Sequence, residues 1–273
     1  MQIDIGDTLA DGAVAVLTAA DPAGKAALSA AVTARWRSGD LAVGRAEPPP
    51  RPTRPKRPTL LPPRDMPKRR NFGSLSGRVA LLHALAHIEL NAIDLAWDLV
   101  ARFGEPGLPR SFFDDWVGVA AEEAEHFCLL SVRLTELGAA YGDLPAHDGL
   151  WEAAAVTAHD AIARLAIVPL VLEARGLDVT PEMIRRLDRA GDGDSAAILG
   201  RIYRDEIGHV AAGVRWFGFF CHARDCEPKT AFRDALQRYF TGVPKPPFNR
   251  AARDAAGFPA AYYEVGATCA EAA

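Results

Sequence analysis

The sequence predicts an all-α protein: a four-helix bundle with a helical N-terminal extension and additional C-terminal helices. Three observations carry that prediction. Four long segments repeat apolar residues at the helical period. No alternating strand pattern of useful length occurs. Gly and Pro fall between the apolar segments and seldom inside them, where they would weaken or break a helix.

The elements follow in chain order. Residues 1–44 read as a helical segment, with Ala-rich stretches around 8–19 and 23–37 separated by Asp21-Pro22, a break that supplies an N-cap. Residues 45–73 form a Pro/Arg-rich arm whose centre is Arg51-Pro52-Thr53-Arg54-Pro55-Lys56-Arg57-Pro58. So many prolines exclude helix and central strand and favour extended polyproline backbone. The arm reads as a linker wrapping the domain surface, or else as a basic strap for an anionic partner. The bundle occupies 74–224. Its helices run from Ser74 to Phe103, closed by Gly104; from Ser111 to Leu137, closed by Gly138; from about His159 to Arg175, closed by Gly176; and from Asp194 to Arg224. Thr180 and Pro181 start a short separate helix to Arg189. In 225–273 a helix from Pro228 to Phe240 precedes a Pro-rich, then irregular tail. The short 104–110 loop makes the first two bundle helices antiparallel. Residues 139–158 are long enough for a crossover, with a helical turn or two near Leu150–Thr157.

Composition narrows the function classes. With 273 residues, 49% hydrophobic, 24% charged and a net charge of −4, the chain has an ordinary globular balance, and an overall basic nucleic-acid binder is not the default. No uncharged apolar run approaches the roughly 18–20 residues of a membrane helix. No basic region precedes an apolar run at the N-terminus, so a cytoplasmic protein is expected. Cys128, Cys221, Cys226 and Cys269 include no C-x-x-C pair and read as reduced thiols.

The chemistry lies in a repeated pattern. The second bundle helix contains Glu122-Glu123-Ala124-Glu125-His126 and the fourth contains Asp205-Glu206-Ile207-Gly208-His209. Each places a Glu and a His three apart on one helix face, about 5–6 Å between side chains, where both can reach one metal. In a chain with 14 Glu and 7 His, chance gives less than one Glu-x-x-His pair. The first and third helices each add one acid to an apolar stripe. Glu89 lies among Leu82, Leu85, Ala86, Ile93 and Ala96; Glu173 follows Ile167-Val168-Pro169-Leu170-Val171-Leu172. Glu89 to Glu173 spans 84 residues and Glu123 to Glu206 spans 83, so the chain reads as two helical hairpins, each carrying Glu and then Glu-x-x-His. Four buried carboxylates without partners would cost several kcal/mol each, and two divalent cations would neutralise them. Carboxylates with two imidazoles suit iron or manganese better than zinc.

This pattern resembles the ferritin-like di-iron carboxylate superfamily, which includes ferritins, ribonucleotide reductase small subunits, multicomponent monooxygenases and tRNA-hydroxylating enzymes. The wider wording, His83-Ala-Leu-Ala-His87-Ile-Glu89 and Glu173-Ala-Arg-Gly-Leu-Asp178, resembles a ferritin-like bacterial family defined as a domain of unknown function, over most of the chain. The resemblance implies two metal ions, Fe or Mn/Fe. It makes Glu89 and Glu173 terminal ligands, Glu123 and Glu206 bridging ligands, His126 and His209 one ligand to each metal, and Glu122 and Asp205 acceptors orienting the histidines.

The function expected is an O2-dependent oxidase or monooxygenase acting on a small organic substrate, with an electron donor as a possible partner. The alternatives are a ferroxidase or metal store, and a tRNA-modifying hydroxylase using the basic arm. Nucleic acid and membrane are not expected partners; an oligomer is compatible with the sequence. Tyr203, three residues before Glu206, lies on the metal face and is the candidate catalytic side chain. His83 and His87 read as a buried polar network rather than a second metal site. Pro169 interrupts the third helix one turn before Glu173, and Arg175 reads as a helix-end salt-bridge partner rather than a substrate anchor.

Overall fold

A computed structural model describes residues 5–67, 72–240 and 242–264. It is helical throughout, and among the described residues the only β pairings are two isolated bridges, Thr8 with Ala42 and Leu60 with Ala146. The main helices are α1 (Leu9–Thr18), α2 (Pro22–Ser38), α3 (Leu75–Phe103), α4 (Arg110–Glu136), α5 (Gly149–Val156), α6 (Ala161–Ile167), α7 (Ala174–Arg189), α8 (Gly193–Ala223), α9 (Pro228–Tyr239), α10 (Arg250–Ala255) and α11 (Ala260–Tyr263). Their starts follow capping chemistry. Thr8, Asp21 and Ser74 accept the backbone N–H of Asp11, Gly24 and Gly77, each satisfying a donor the helix leaves open.

The chain divides into two compact units, one of residues 1–151 with 186–198 and one of residues 152–185 with 199–273. In the first, α3 packs along α4, α1 lies on α3, and α2 lies on α4. Trp97, Trp116, Phe112 and Phe113 are fully buried there. Two cations, the buried Lys25 and the half-buried Arg54, hold the same unit together. Lys25 donates to Asp94 at 2.5 Å and to the carbonyl of Val16 at 2.9 Å; Arg54 of the arm bonds Asp94 and also Asn91.

The arm is extended and tied down. Thr53 donates to the Leu17 carbonyl at 2.9 Å, Leu61 to Ala146 at 2.8 Å, and Arg102 of α3 to Pro49 at 3.0 Å; Arg51 pairs with Asp148. Pro52 and Pro58 are buried, while Lys56, Arg57 and Arg64 are exposed. Lys68, Arg69 and Arg70 lie outside the described residues.

His83 and His87 hold the segment after α4. His83 Nε2 accepts the backbone N–H of Gly142 at 2.9 Å. His87 Nε2 lies 3.1 Å from the carbonyl of His147, which only accepts, so Nε2 carries the proton and Nδ1 accepts from the Tyr141 hydroxyl at 2.8 Å. Burial and the charge of Arg54 push His87 down to about 4, in keeping with a neutral ring.

Two expectations about α3 and the third bundle helix change. By length and composition α3 is long and apolar enough to cross a membrane, which counting uninterrupted uncharged residues misses. Of its most apolar window, 72% is buried inside the protein. The third helix does not close at Gly176, and Pro181 does not start a new one. α6 passes into a π-helical turn, Val168–Glu173, and then into α7, which runs through Gly176 and Pro181 to Arg189. Pro181 lacks the N–H that would meet the Leu177 carbonyl. Asn249 Nδ2 donates to that carbonyl instead, at 3.0 Å, so the helix continues.

The tail after α9 is also more regular than expected. Asn249 caps α10 through Ala252 N–H, and α11 follows. Their aromatic residues Phe258, Tyr262 and Tyr263 join Phe217 and Phe232 in one cluster of the second unit.

Candidate metal centre

The first unit buries two carboxylates and one imidazole together. On α4 the inward stripe is Trp116, Ala120, Glu123, Phe127, Leu130 and Leu134, and His126 sits one turn beyond Glu123. On α3 the stripe around Glu89 is Leu82, Ala86, Ile93 and Ala96, all buried. Packing of α3 along α4 brings the three polar residues into one place. His126 Nδ1 lies 3.2 Å from Glu89 Oε2 and 3.6 Å from Glu123 Oε2. One donor atom from each of Glu89, Glu123 and His126 lies within 4.8 Å of the other two.

The electrostatics show what such a group requires. Burial, and then the charge of Glu123, push the Glu89 carboxyl well above the usual carboxylate range. Burial alone would lower His126, but its contacts with Glu123 and Glu89 override burial and raise it to about 11. Two carboxylates at almost zero exposure therefore pull in positive charge, from a proton or from a cation.

The donor set fits a divalent metal. Ligands roughly 2 Å from one ion lie no more than about 4–5 Å from each other, and carboxylate with imidazole is a donor set for iron, manganese and zinc. The nitrogen facing both carboxylates is His126 Nδ1, the atom that would ligate. The group can thus hold a metal ion.

The second unit carries the other predicted residues. On α8, His209 is buried, and its Nδ1 lies 3.6 Å from Glu206 Oε2, repeating the α4 spacing. Glu173 closes the π-helical turn and is half-buried. Pro169 and Leu170 of that turn pack on Gly213 of α8: a Cβ at residue 213 would meet Pro169 Cβ at 2.7 Å. Pro169 thus fills the space that a side chain at Gly213 would need. Tyr203 is half-buried, and its hydroxyl accepts from Asn249 Nδ2 at 2.8 Å. Asp205 pairs with Arg201 at 3.7 Å, and Glu122 is exposed on α4.

Residues not singled out in the sequence complete these surroundings. Asp178, whose side chain is fully buried, accepts Arg253 Nε at 3.0 Å, Arg253 Nη2 at 2.8 Å and Asn249 N at 2.9 Å. Lys25 likewise closes the Asp94 network. The unmet carbonyl created by Pro181 signals the need for a donor such as Asn249, but nothing local says which residue supplies it.

Comparison with known proteins agrees in extent. A family model described as "Protein of unknown function (DUF455)" matches residues 18–264. A Haemophilus influenzae protein, described as "Uncharacterized protein", is 44% identical over 209 residues, covering 75% of this chain and 72% of that protein. No solved structure matches.

Proposed function

The chain belongs to the DUF455 family, and we propose that it is a dinuclear metal carboxylate protein of ferritin-like type, an O2-dependent oxidase or monooxygenase of a small organic substrate. The observation that carries this reading is the buried group of Glu89, Glu123 and His126 within 4.8 Å. Its repetition as Glu206 and His209 at the same helix spacing supports a second metal position, with Glu173 as the counterpart of Glu89.

Iron, alone or with manganese, would supply the O2-reducing chemistry when bound. The chain's own part is to hold the metals and to keep bulk water away. Glu89, Glu123 and His126 would hold one, and Glu173, Glu206 and His209 the other. The apolar stripes around Glu89 and Glu123 limit access of water. Tyr203, whose hydroxyl accepts from Asn249, would be the side chain that passes a proton or an electron, three residues before Glu206 on α8.

The arm supports a small-molecule substrate over tRNA. Arg51 and Arg54 are engaged with Asp148 and Asp94 of the protein itself and serve the fold rather than a phosphate backbone. Aerobic addition of Fe(II) separates oxidase from iron store. Oxygen uptake should stop after the bound iron is oxidised and resume only with an added reductant. Steady oxidation of many iron equivalents into a mineral core would replace the oxidase reading with storage.

A further inference from the structure

The second unit contains a cavity of about 330 Å³ beside the π-helical turn. Its charged lining is unbalanced: three cationic residues, Arg175, Lys245 and Arg253, share it with one carboxylate, Asp178. Asp178 and Arg253 neutralise each other through the paired bonds described above, and Arg253 also stacks over Tyr263 at 4.3 Å. That leaves Arg175 and Lys245. Among the described residues Arg175 makes its hydrogen bonds through Nη1, to the Lys245 carbonyl at 2.8 Å and, at 3.4 Å, to the Pro247 carbonyl and Asp178. These bonds fix the guanidinium, while Nε and Nη2 keep their hydrogens for another acceptor and 42% of the side chain stays exposed. Lys245 is exposed, and among the described residues it forms no ion pair.

The remaining wall is apolar, with Leu172, Val243 and Phe248 among its residues. A fixed guanidinium with further donors, in a lining that also holds Lys245 and an apolar wall, suits a small carboxylate on a short hydrocarbon body. A cation would be repelled. A neutral molecule would not offset the charge of Arg175, and about 330 Å³ is at the small end for ligand sites. We propose that this cavity binds a small organic carboxylate, with its head on Arg175 and Lys245 and its body against Leu172, Val243 and Phe248.

The binding claim stands on the cavity alone. That the bound acid is the substrate of the metal reaction rests on the reading above, since Leu172 lies in the turn that ends at Glu173. The test is calorimetric titration of the full-length protein, as purified, with octanoate and with octan-1-ol as its uncharged counterpart, metal content being measured on the same sample. Octanoate should bind one molecule per chain, at least about tenfold tighter than the alcohol. Arg175→Gln removes the anchor but also loosens the loop it holds. Val243→Glu is therefore the second variant: Val243 is 57% exposed, so the fold should tolerate the change while the new charge repels the ligand. Val243→Glu should weaken octanoate at least about tenfold with an unchanged melting temperature. Equal affinity for acid and alcohol, wild-type affinity in Val243→Glu, or no octanoate binding at millimolar concentration would overturn the proposal. Octanoate binding by a metal-free sample keeps this proposal and counts against the metal reading; metal without octanoate binding does the reverse.

Discussion

Asp94 is a fully buried carboxylate between two cations brought from distant parts of the chain, Lys25 of α2 and Arg54 of the arm. Burial pushes Asp94 up and Lys25 down, and their attraction opposes both shifts. Removing one partner strands the other in a place without water. Asp94→Asn should therefore cost about 3–5 kcal/mol, and Lys25→Met with Asp94→Leu together should cost less than the single change. Urea unfolding of the three proteins checks this; equal losses in the single and double variants would contradict it. Asp192 makes a titration argument of the opposite kind. Burial would raise its carboxyl, but the N–H of Ser195 and the Arg133 guanidinium hold it below 3.8. Since the folded value lies below the unfolded one, the stabilisation is complete above the unfolded pKa and is lost as pH falls through the folded one. Asp192→Asn should then be less stable by about 2 kcal/mol at pH 7. The gap to wild type should close as pH drops below 3.8. A gap of constant size across that range would rule the argument out.

At the scale of elements, helix starts and stops were legible wherever capping chemistry set them. Ser74 and Gly104 bound α3, Asp21 and Gly39 bound α2, and Glu227 starts α9 through the N–H groups of Lys229 and Thr230. The errors sit where distant residues override local preference. Gly176 reads as a helix end and Pro181 as a helix start, yet α7 runs through both because Asn249 takes the carbonyl that Pro181 leaves. A residue 68 positions away along the chain cannot be found from the sequence around Pro181. Pro169 was legible as an interruption, but its form, a π-helical turn seated on Gly213, depends on the facing helix. That seat gives a prediction. Gly213→Ala places a methyl 2.7 Å from Pro169 Cβ, so the turn must shift or strain. The variant should lose about 1–3 kcal/mol, and an Ala at the half-buried Gly218, whose Cβ would meet nothing within 4 Å, should not. Thermal unfolding of the pair decides it; equal stability in both would show that the turn moves freely.

For the whole molecule, the carboxylates and imidazoles that could hold a metal were the most legible feature because the spacing within each helix is set by the helix itself. Glu123 and His126, and Glu206 and His209, lie on one helix face by period alone. Glu89 stood out as an acid in an apolar stripe, and packing of α3 along α4 brings it within 3.2 Å of His126. The arm was legible as an extended linker wrapping the surface, but the ties that fix it were not, since its partners Asp94, Asp148 and Ala146 come from elsewhere in the chain. The central claim is that these carboxylates and imidazoles are held by metal. It is tested most directly by elemental analysis of the full-length protein purified without chelator, beside its Glu123→Ala variant. Close to two iron or manganese ions per chain are expected in the wild type and less than half of that in the variant. A wild-type protein that stays near zero after growth with both metals, or a variant that keeps its full complement, would contradict it.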